Sequence, residues 1–408
     1  MGFLESMRKT ADALLRFVAG RNSPLAKAFR RPSAPLADRL LADAVLLSEL
    51  PSPTEREERR AAFVIGRLTA IGLLAEADED GNVFARVNAE RPPDARALLL
   101  FADLGTARWH PLASLSRVDV DYASGAGLSD SLGAAALLSV AEAAVDGSLK
   151  HERDLLLLFA ARSLDDPRND VFARLTEKTR DRPVAAIALR GFSLGSLPGR
   201  PLGTYRVEVH VRTAAEQEGR AGTEGHGPSG EPPSAVDAAV AVARRLSGVK
   251  WDAEGATVCR IRRIEAGTGF GRAPTDGIVD IELESADAAV LDLAKKAAIA
   301  TAETAGRESG AKTEVAILGH IPVGDPAVSA TLSALVRDVM KDLKIKVKGD
   351  AGADPAAFLS VHGLPAVSVA LANGREGLDI DEVEIASIES GRRLLAALTE
   401  RASSGVFS

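Results

Sequence analysis

Cysteine occurs once in 408 residues, at Cys259, which leaves no partner for an internal disulfide and no basis for a cysteine zinc cluster. Histidine is nearly as scarce. The six present (His110, His151, His210, His226, His320 and His362) mean that any metal site must draw mainly on carboxylates. An excess of positive charge is also missing: 50 Lys and Arg stand against 57 Asp and Glu, a net charge of −7, the wrong balance for a surface that holds a nucleic-acid backbone. No uninterrupted apolar run approaches the roughly 18 to 20 residues that span a bilayer. Arg8, Lys9, Asp12 and Arg16 interrupt what would be the apolar stretch of a signal peptide. The expected address is the cytoplasm. What is present is an ordinary globular composition, 46% apolar and 26% charged, at a length that suits two domains or one domain with an insertion.

The chain divides by style. Residues 1–35 form a basic extension. Up to Arg31 it carries seven basic residues and two acidic ones, with Phe3, Leu4, Leu14, Leu15 and Phe17 on a rough helical stripe. From Leu36 a helix is expected to run to the Pro51-Ser52-Pro53-Thr54 break. Glu55, Glu58 and Arg59 open a second, with Val64, Leu68 and Ile71 at helical spacing. Asp80-Gly81-Asn82 marks a turn before a strand at 83–87. The runs 97–102 (ALLLFA) and 155–161 (LLLLFAA) read as parallel strands buried on both faces, with an Ala-rich helix from Gly133 to Val145 between them. The middle of the chain alternates instead. Strands at 204–211, 257–266, 277–285 and 311–320 and helices at 234–246 and 286–305 give the order βαββαβ of a ferredoxin-like module. After Pro322 the α/β pattern resumes, with helices at 331–343 and 355–362, a strand at 366–371 and a last helix from Ser387. The expected organisation is an α/β domain at 36–202 and 322–408 with a module inserted at 203–321.

Several strings then stand in a familiar order: Pro51-Ser52-Pro53-Thr54, Asp80-Gly81-Asn82-Val83, and Gly127-Leu128-Ser129-Asp130-Ser131-Leu132-Gly133. They continue as Gly267-Thr268 with Pro274, Gly352-Ala353-Asp354-Pro355-Ala356, Gly363-Leu364-Pro365 and Asp381-Glu382-Val383. From about Leu36 to Leu398 the sequence resembles the dizinc exopeptidase family of aminoacylase, carboxypeptidase G and tripeptide aminopeptidase. The resemblance implies an α/β/α zinc-exopeptidase-like domain with an inserted ferredoxin-like lid through which two copies dimerise. It also implies two zinc ions bridged by a carboxylate and a water, a Glu that takes the water's proton, and a peptide or acyl-amino-acid ligand.

Residue by residue, the implied ligand set is substituted. The H-x-D histidine falls on Phe101, which cannot ligate, and the aspartate that would orient that imidazole falls on Asp103. The bridging carboxylate falls on Asp130, followed by Ser131-Leu132 in place of Asp-Lys. The Glu-Glu pair falls on Ser163-Leu164, or on Asp165-Asp166 if the loop is longer. The fourth carboxylate falls near Ala188-Leu189-Arg190, and the late histidine falls on Leu378. In the inserted module His226 matches the oxyanion-binding histidine, whereas the substrate-binding Asn and Arg fall on Gly271 and Glu282, a glutamate that would repel a substrate carboxylate. His110 could fold back as a substitute ligand. His151, His210 and His320 read as solvated, His362 as a helix cap, and Arg260, Arg262 and Arg263 as a solvated strand face.

Three readings follow from this set. In the first the chain is a non-catalytic relative that works by binding or assembly. In the second it is a working metallopeptidase or amidohydrolase with unusual ligands. In the third it is a hydrolase, peptidase or amidohydrolase, that has moved its chemistry, for instance to Asp130 with Asp165 and Asp166 around a hard cation. No cofactor is expected under the first; any that bound would be a divalent cation, Zn²⁺, Mg²⁺ or Ca²⁺, with Asp130 and Asp165 the leading ligands and Asp165, Asp166 and His226 the catalytic candidates. The cleft beyond the strand ends is expected to keep an acidic wall of Asp103, Asp130, Asp165 and Asp166.

Overall fold

The computed structural model describes residues 35–50, 52, 56–89, 96–106, 115–161, 171–177, 182–198, 202–213, 234–251, 257–267, 269, 274–350, 356–377, 379–404 and 407. Its contacts divide the chain into two units, Met1–Gly199 with Asp325–Ser408, and Arg200–Gly324.

The first unit begins with helices α1 (Leu36–Ser48) and α2 (Glu58–Ala70) and strands β1 (Ala75–Ala77), β2 (Val83–Val87) and β3 (Leu98–Asp103). Then come β4 (Arg117–Val118), β5 (Tyr122–Gly125), α3 (Leu128–Val145), β6 (Leu155–Ala160), α4 (Val171–Thr176), β7 (Ala185–Phe192) and β8 (Ser196–Pro198). Its main sheet has the order β1-β2-β6-β3-β7-β14, where β14 is Ala366–Ala372. Four neighbouring strands, β6, β3, β7 and β14, run parallel, as the unbroken apolar runs require.

Alternation along β3 sends Leu98, Leu100 and Ala102 into the larger core and Leu99 and Phe101 into a smaller one on the opposite face. Helices therefore cover both faces, giving an α/β/α sandwich. The α3 helix lies against the larger face. Its length and hydropathy would suffice to cross a membrane, but 78% of it is buried inside the unit, which makes it the core helix of this sandwich. It begins at Leu128 rather than Gly133, because Gly133 is an interior contact: a Cβ there would stand 2.6 Å from the Leu189 carbonyl of β7.

The second unit contains β9 (Gly203–Arg212), α5 (Ala235–Ser247), β10 (Val258–Ala266), β11 (Asp276–Ser285), α6 (Ala288–Glu308) and β12 (Lys312–Ile321). Ser234 and Asp287 cap the two helices by accepting from the backbone N–H of Val236 and Val290. The antiparallel order β10-β11-β9-β12 is the ferredoxin-like arrangement. Tyr205, Val207, Val209 and Val211 face α5 and α6 across the core. The other sheet face carries the charges, and here Arg260, Arg262 and Arg263 are ion-paired across the strands to Glu284, Glu282 and Asp280 rather than simply solvated.

The first unit then resumes with α7 (Ala330–Asp342), β13 (Lys348–Asp350), α8 (Ala357–Val361), β14, β15 (Gly374–Arg375), β16 (Asp381–Glu384) and α9 (Ile385–Ser403). Strands β4, β5, β16 and β15 make a small antiparallel sheet, and β8 pairs with β13.

Candidate functional site

The residues that the sequence marks for metal chemistry stand at the carboxyl end of β3 and in the first turn of α3. Asp103 ends β3, half-buried, and Asp130 sits half-buried in the first turn of α3. The α3 terminus is held by backbone geometry and by a carboxylate from β16. Gly127 supplies the left-handed turn at φ 64°, and the Asp381 carboxylate accepts from the Ser129 backbone N–H at 3.2 Å. Ser129 donates its hydroxyl to Glu376 at 3.1 Å. The first acid of the Asp381-Glu382 pair, 2% exposed, is thus a helix cap. Gly191 of β7 meets the same turn, since a Cβ there would lie 2.1 Å from the Ser129 carbonyl.

Two further motifs brace the strand ends. Ser52 offers its carbonyl to the Thr106 amide at 2.9 Å and hydroxyl at 3.2 Å, tying the first break to the loop after β3. Asn82 is fully buried, accepts from the Ala161 amide at 2.9 Å and donates to Asp78 at 2.9 Å, so the turn string fixes the end of β6. Asp165 and Asp166 come next in the chain and lie outside the described residues, as do Arg162, Ser163-Leu164, His110, His226, Gly271 and Leu378.

Phe101 is 1% exposed, and its ring meets Phe172 edge-on at 5.1 Å. Around it lie Leu99, Leu158, Ala188, Leu359 and Leu364. The position implied for the first ligand is therefore part of an apolar core, and its side chain has no atom that can hold a cation. On β7 the register pairs Phe101 with Ala188. Two residues further on, the same face carries Asp103 and Arg190, so a cation stands where the fourth carboxylate was implied.

The residue that sequence reasoning missed is Arg60 of α2. It is 0% exposed. Its Nε donates to the Leu50 carbonyl at 3.1 Å, Nη1 to the Leu104 carbonyl at 3.1 Å, and Nη2 to Ser131 Oγ at 2.9 Å. Burial lowers its pKa to about 10 against the attraction of Asp130 and Glu57, which leaves it charged at neutral pH. One signal was available. The apolar stripe of α2 (Ile71, Leu68, Val64), continued one turn toward the N-terminus, lands on Arg60.

The described histidines stand elsewhere. His151 precedes β6, at the opposite end of that strand from Asp103, with Nδ1 2.9 Å from the Arg153 carbonyl. His362 caps α8, as expected, with Nδ1 2.8 Å from the Phe358 carbonyl and its ring stacked on Phe358. In the second unit His210 lies 2.6 Å from Glu208, and His320 stacks on Tyr205, its pKa lowered by burial and by Lys295. Glu282 does not act as a lone repulsive charge there: it is 9% exposed, takes Arg262 Nε at 2.6 Å and faces Arg206.

Tested against two zinc ions, these donors do not fit. Phe101 offers no lone pair, a cation stands at Arg190 where an acid was implied, and Asp130 lies in the field of the buried Arg60 guanidinium. Among the described residues no group of three or more His, Cys, Asp or Glu side chains forms a metal cluster.

The architecture is shared with solved structures. A tripeptidase from Staphylococcus aureus superposes with a TM-score of 0.64 at 16% identity, over 90% of this chain and 98% of that one. An amidase of the hydantoinase/carbamoylase family from Burkholderia vietnamiensis gives 0.67 at 17% identity, over 90% and 98%. A dinuclear metal-binding peptidase of the M20 family from Bacillus subtilis gives 0.56 at 14% identity, over 89% and 97%. The fold is that of these enzymes. No protein-family model matches the sequence, and no curated protein matches it.

Proposed function

We propose that this chain is a non-catalytic relative of the dinuclear metal exopeptidases, one that retains their two-unit architecture for binding or assembly. The observation that carries the reading is Phe101, whose ring completes an apolar core at the position implied for the first zinc ligand. A site that loses even outer-shell partners loses roughly 10- to 100-fold in metal affinity, and here whole ligands are replaced. Arg60 and Arg190 support the same reading, since each brings positive charge to strand ends where a dication needs negative charge.

The expected result for the purified protein is no stoichiometric zinc by elemental analysis and no hydrolysis of dipeptides or N-acyl amino acids. Stoichiometric zinc together with chelator-sensitive hydrolysis would overturn the proposal. Hydrolysis that depends on Mg²⁺ or Ca²⁺ would favour the reduced carboxylate site of Asp130, Asp165 and Asp166 instead.

Assembly is proposed to run through the inserted unit. Its edge strand β12 exposes Ile317 and Leu318 side by side, an apolar pair that a second copy would cover. Light scattering behind a sizing column is expected to give a dimer, and a strict monomer at micromolar concentration counts against it.

A further inference from the structure

We propose that the guanidinium of Arg60 is the resident cation of the substituted metal site, a covalently held positive charge that offsets Asp130 and Glu57 in place of a dication. This rests on the non-catalytic reading above and gives it a chemical mechanism.

Arg60 lies in the first turn of α2, yet it is 0% exposed, because its side chain turns inward to the loop after β3 and the first turn of α3. Its fork reaches three oxygens on three separate segments: Leu50 after α1, Leu104 after β3 and Ser131 within α3. A planar, permanently charged fork suits such divergent acceptors, whereas an ammonium point charge could not reach all three.

Charge follows from placement. Two of the three acceptors are neutral carbonyls and the third is a hydroxyl that itself donates to the Gly127 carbonyl at 2.7 Å. They satisfy the N–H groups without balancing the charge. An uncompensated buried guanidinium is strongly unfavourable, so the balance must come from carboxylates. Two stand beside the fork: Asp130, at the implied bridging position and next in the chain to Ser131, which Nη2 bonds, and Glu57, only 4% exposed at the N-cap of the helix and three residues before Arg60; both attract the guanidinium. A dication on Asp130 would stand in the field of this guanidinium, so the two cations are alternatives at one carboxylate. Ser131 belongs to the same exchange. An aspartate is implied there by the resemblance, and the serine found there instead accepts from Arg60 at 2.9 Å.

The test is a double-mutant cycle on the full chain, in chelator-treated protein, read by thermal melting of the parent, Arg60→Met, Asp130→Asn and the double variant. Each single variant should lower the melting temperature by roughly 5 °C or more, and the double variant should lose clearly less than the sum. Additive losses overturn the assignment, as does an Asp130→Asn protein that melts higher than the parent, because Asp130 would then be a repulsive remnant. Should Arg60→Met fail to fold, Arg60→Gln keeps hydrogen-bond donors without the charge, and the same cycle with Asp130→Asn reads the coupling. Millimolar Mg²⁺, chosen because the freed donors are oxygens, is the second readout. It should raise the melting temperature of Arg60→Met and leave the parent unchanged; an equal response of the two, including none in either, overturns the replacement. Zinc found in the parent protein sinks the non-catalytic reading whatever the cycle gives, whereas lost coupling in zinc-free protein sinks only the role of Arg60.

Discussion

Replacing Phe101 by alanine should cost about 3–5 kcal/mol of stability, and replacing it by histidine should also destabilise the protein without recruiting zinc. Phe101 is 1% exposed and sits in the smaller core, edge-on to Phe172 and in register with Ala188. Truncation removes a large buried side chain from a set of small and branched neighbours (Ala160, Ala186, Ala188, Leu359) that cannot collapse into the space without moving the sheet. Histidine nearly matches the volume but buries ring nitrogens with no acceptor or donor among those neighbours, a loss of roughly 1–3 kcal/mol. Urea titration of both variants, with elemental analysis of Phe101→His, measures each part. A histidine variant as stable as the parent that takes up one zinc would mean the position still points at a usable site, and the non-catalytic reading would fail.

How legible was this arrangement in the amino-acid sequence? The parallel core was legible because its strands are buried on both faces, so β3 and β6 are unbroken apolar runs whose observed limits, Leu98–Asp103 and Leu155–Ala160, match the expected ones closely. The inserted unit was legible for the opposite reason. Its strands have one wet face, and β9 alternates Tyr205, Val207, Val209 and Val211 with charged and polar partners. Strand β7 was not marked as an element, since Ala185, Ala186 and Ala188 carry little β preference and Arg190 breaks the apolar run. The small sheet of β4, β5, β15 and β16 has strands of two to four residues, too short for any period to show. The start of α3 was missed because Gly133 looks like a helix boundary while its lack of a side chain actually serves a contact with β7.

The site divides along the same line. Loss of ligating atoms could be read from residue types alone, as at Phe101. Gain of a buried cation could not be read from composition, because Arg56, Arg59 and Arg60 are chemically alike and only the helical stripe separates the one that turns inward.

A second buried ion pair, which joins α1 to α2, supplies the comparison. Asp43 of α1 is 2% exposed and accepts from Arg67 of α2 through both oxygens, at 2.8 and 3.0 Å. Arg39 and Glu142 pair at 2.8 Å, and their charges also act on Asp43. Burial raises the Asp43 pKa against the pull of Arg67. The folded state therefore takes up this proton more readily than the unfolded chain. The sign follows: the contribution of Asp43 weakens as pH rises through the window above its ordinary value of 3.8, so Asp43 does not drive acid unfolding. Asp43→Ala should cost about 3–5 kcal/mol near neutral pH, because Arg67, 14% exposed in its side chain, is left largely buried without its partner. Asp43→Leu combined with Arg67→Met should recover most of that loss, since two apolar groups of similar volume need no counter-charge. Chemical denaturation of the three variants decides it. If Asp43→Ala costs less than about 1 kcal/mol, the pair behaves as a solvated surface contact instead. Because this pair has no connection to the implied ligand positions, Mg²⁺ should not rescue Asp43→Ala, which separates a structural ion pair from the cation exchange assigned to Arg60.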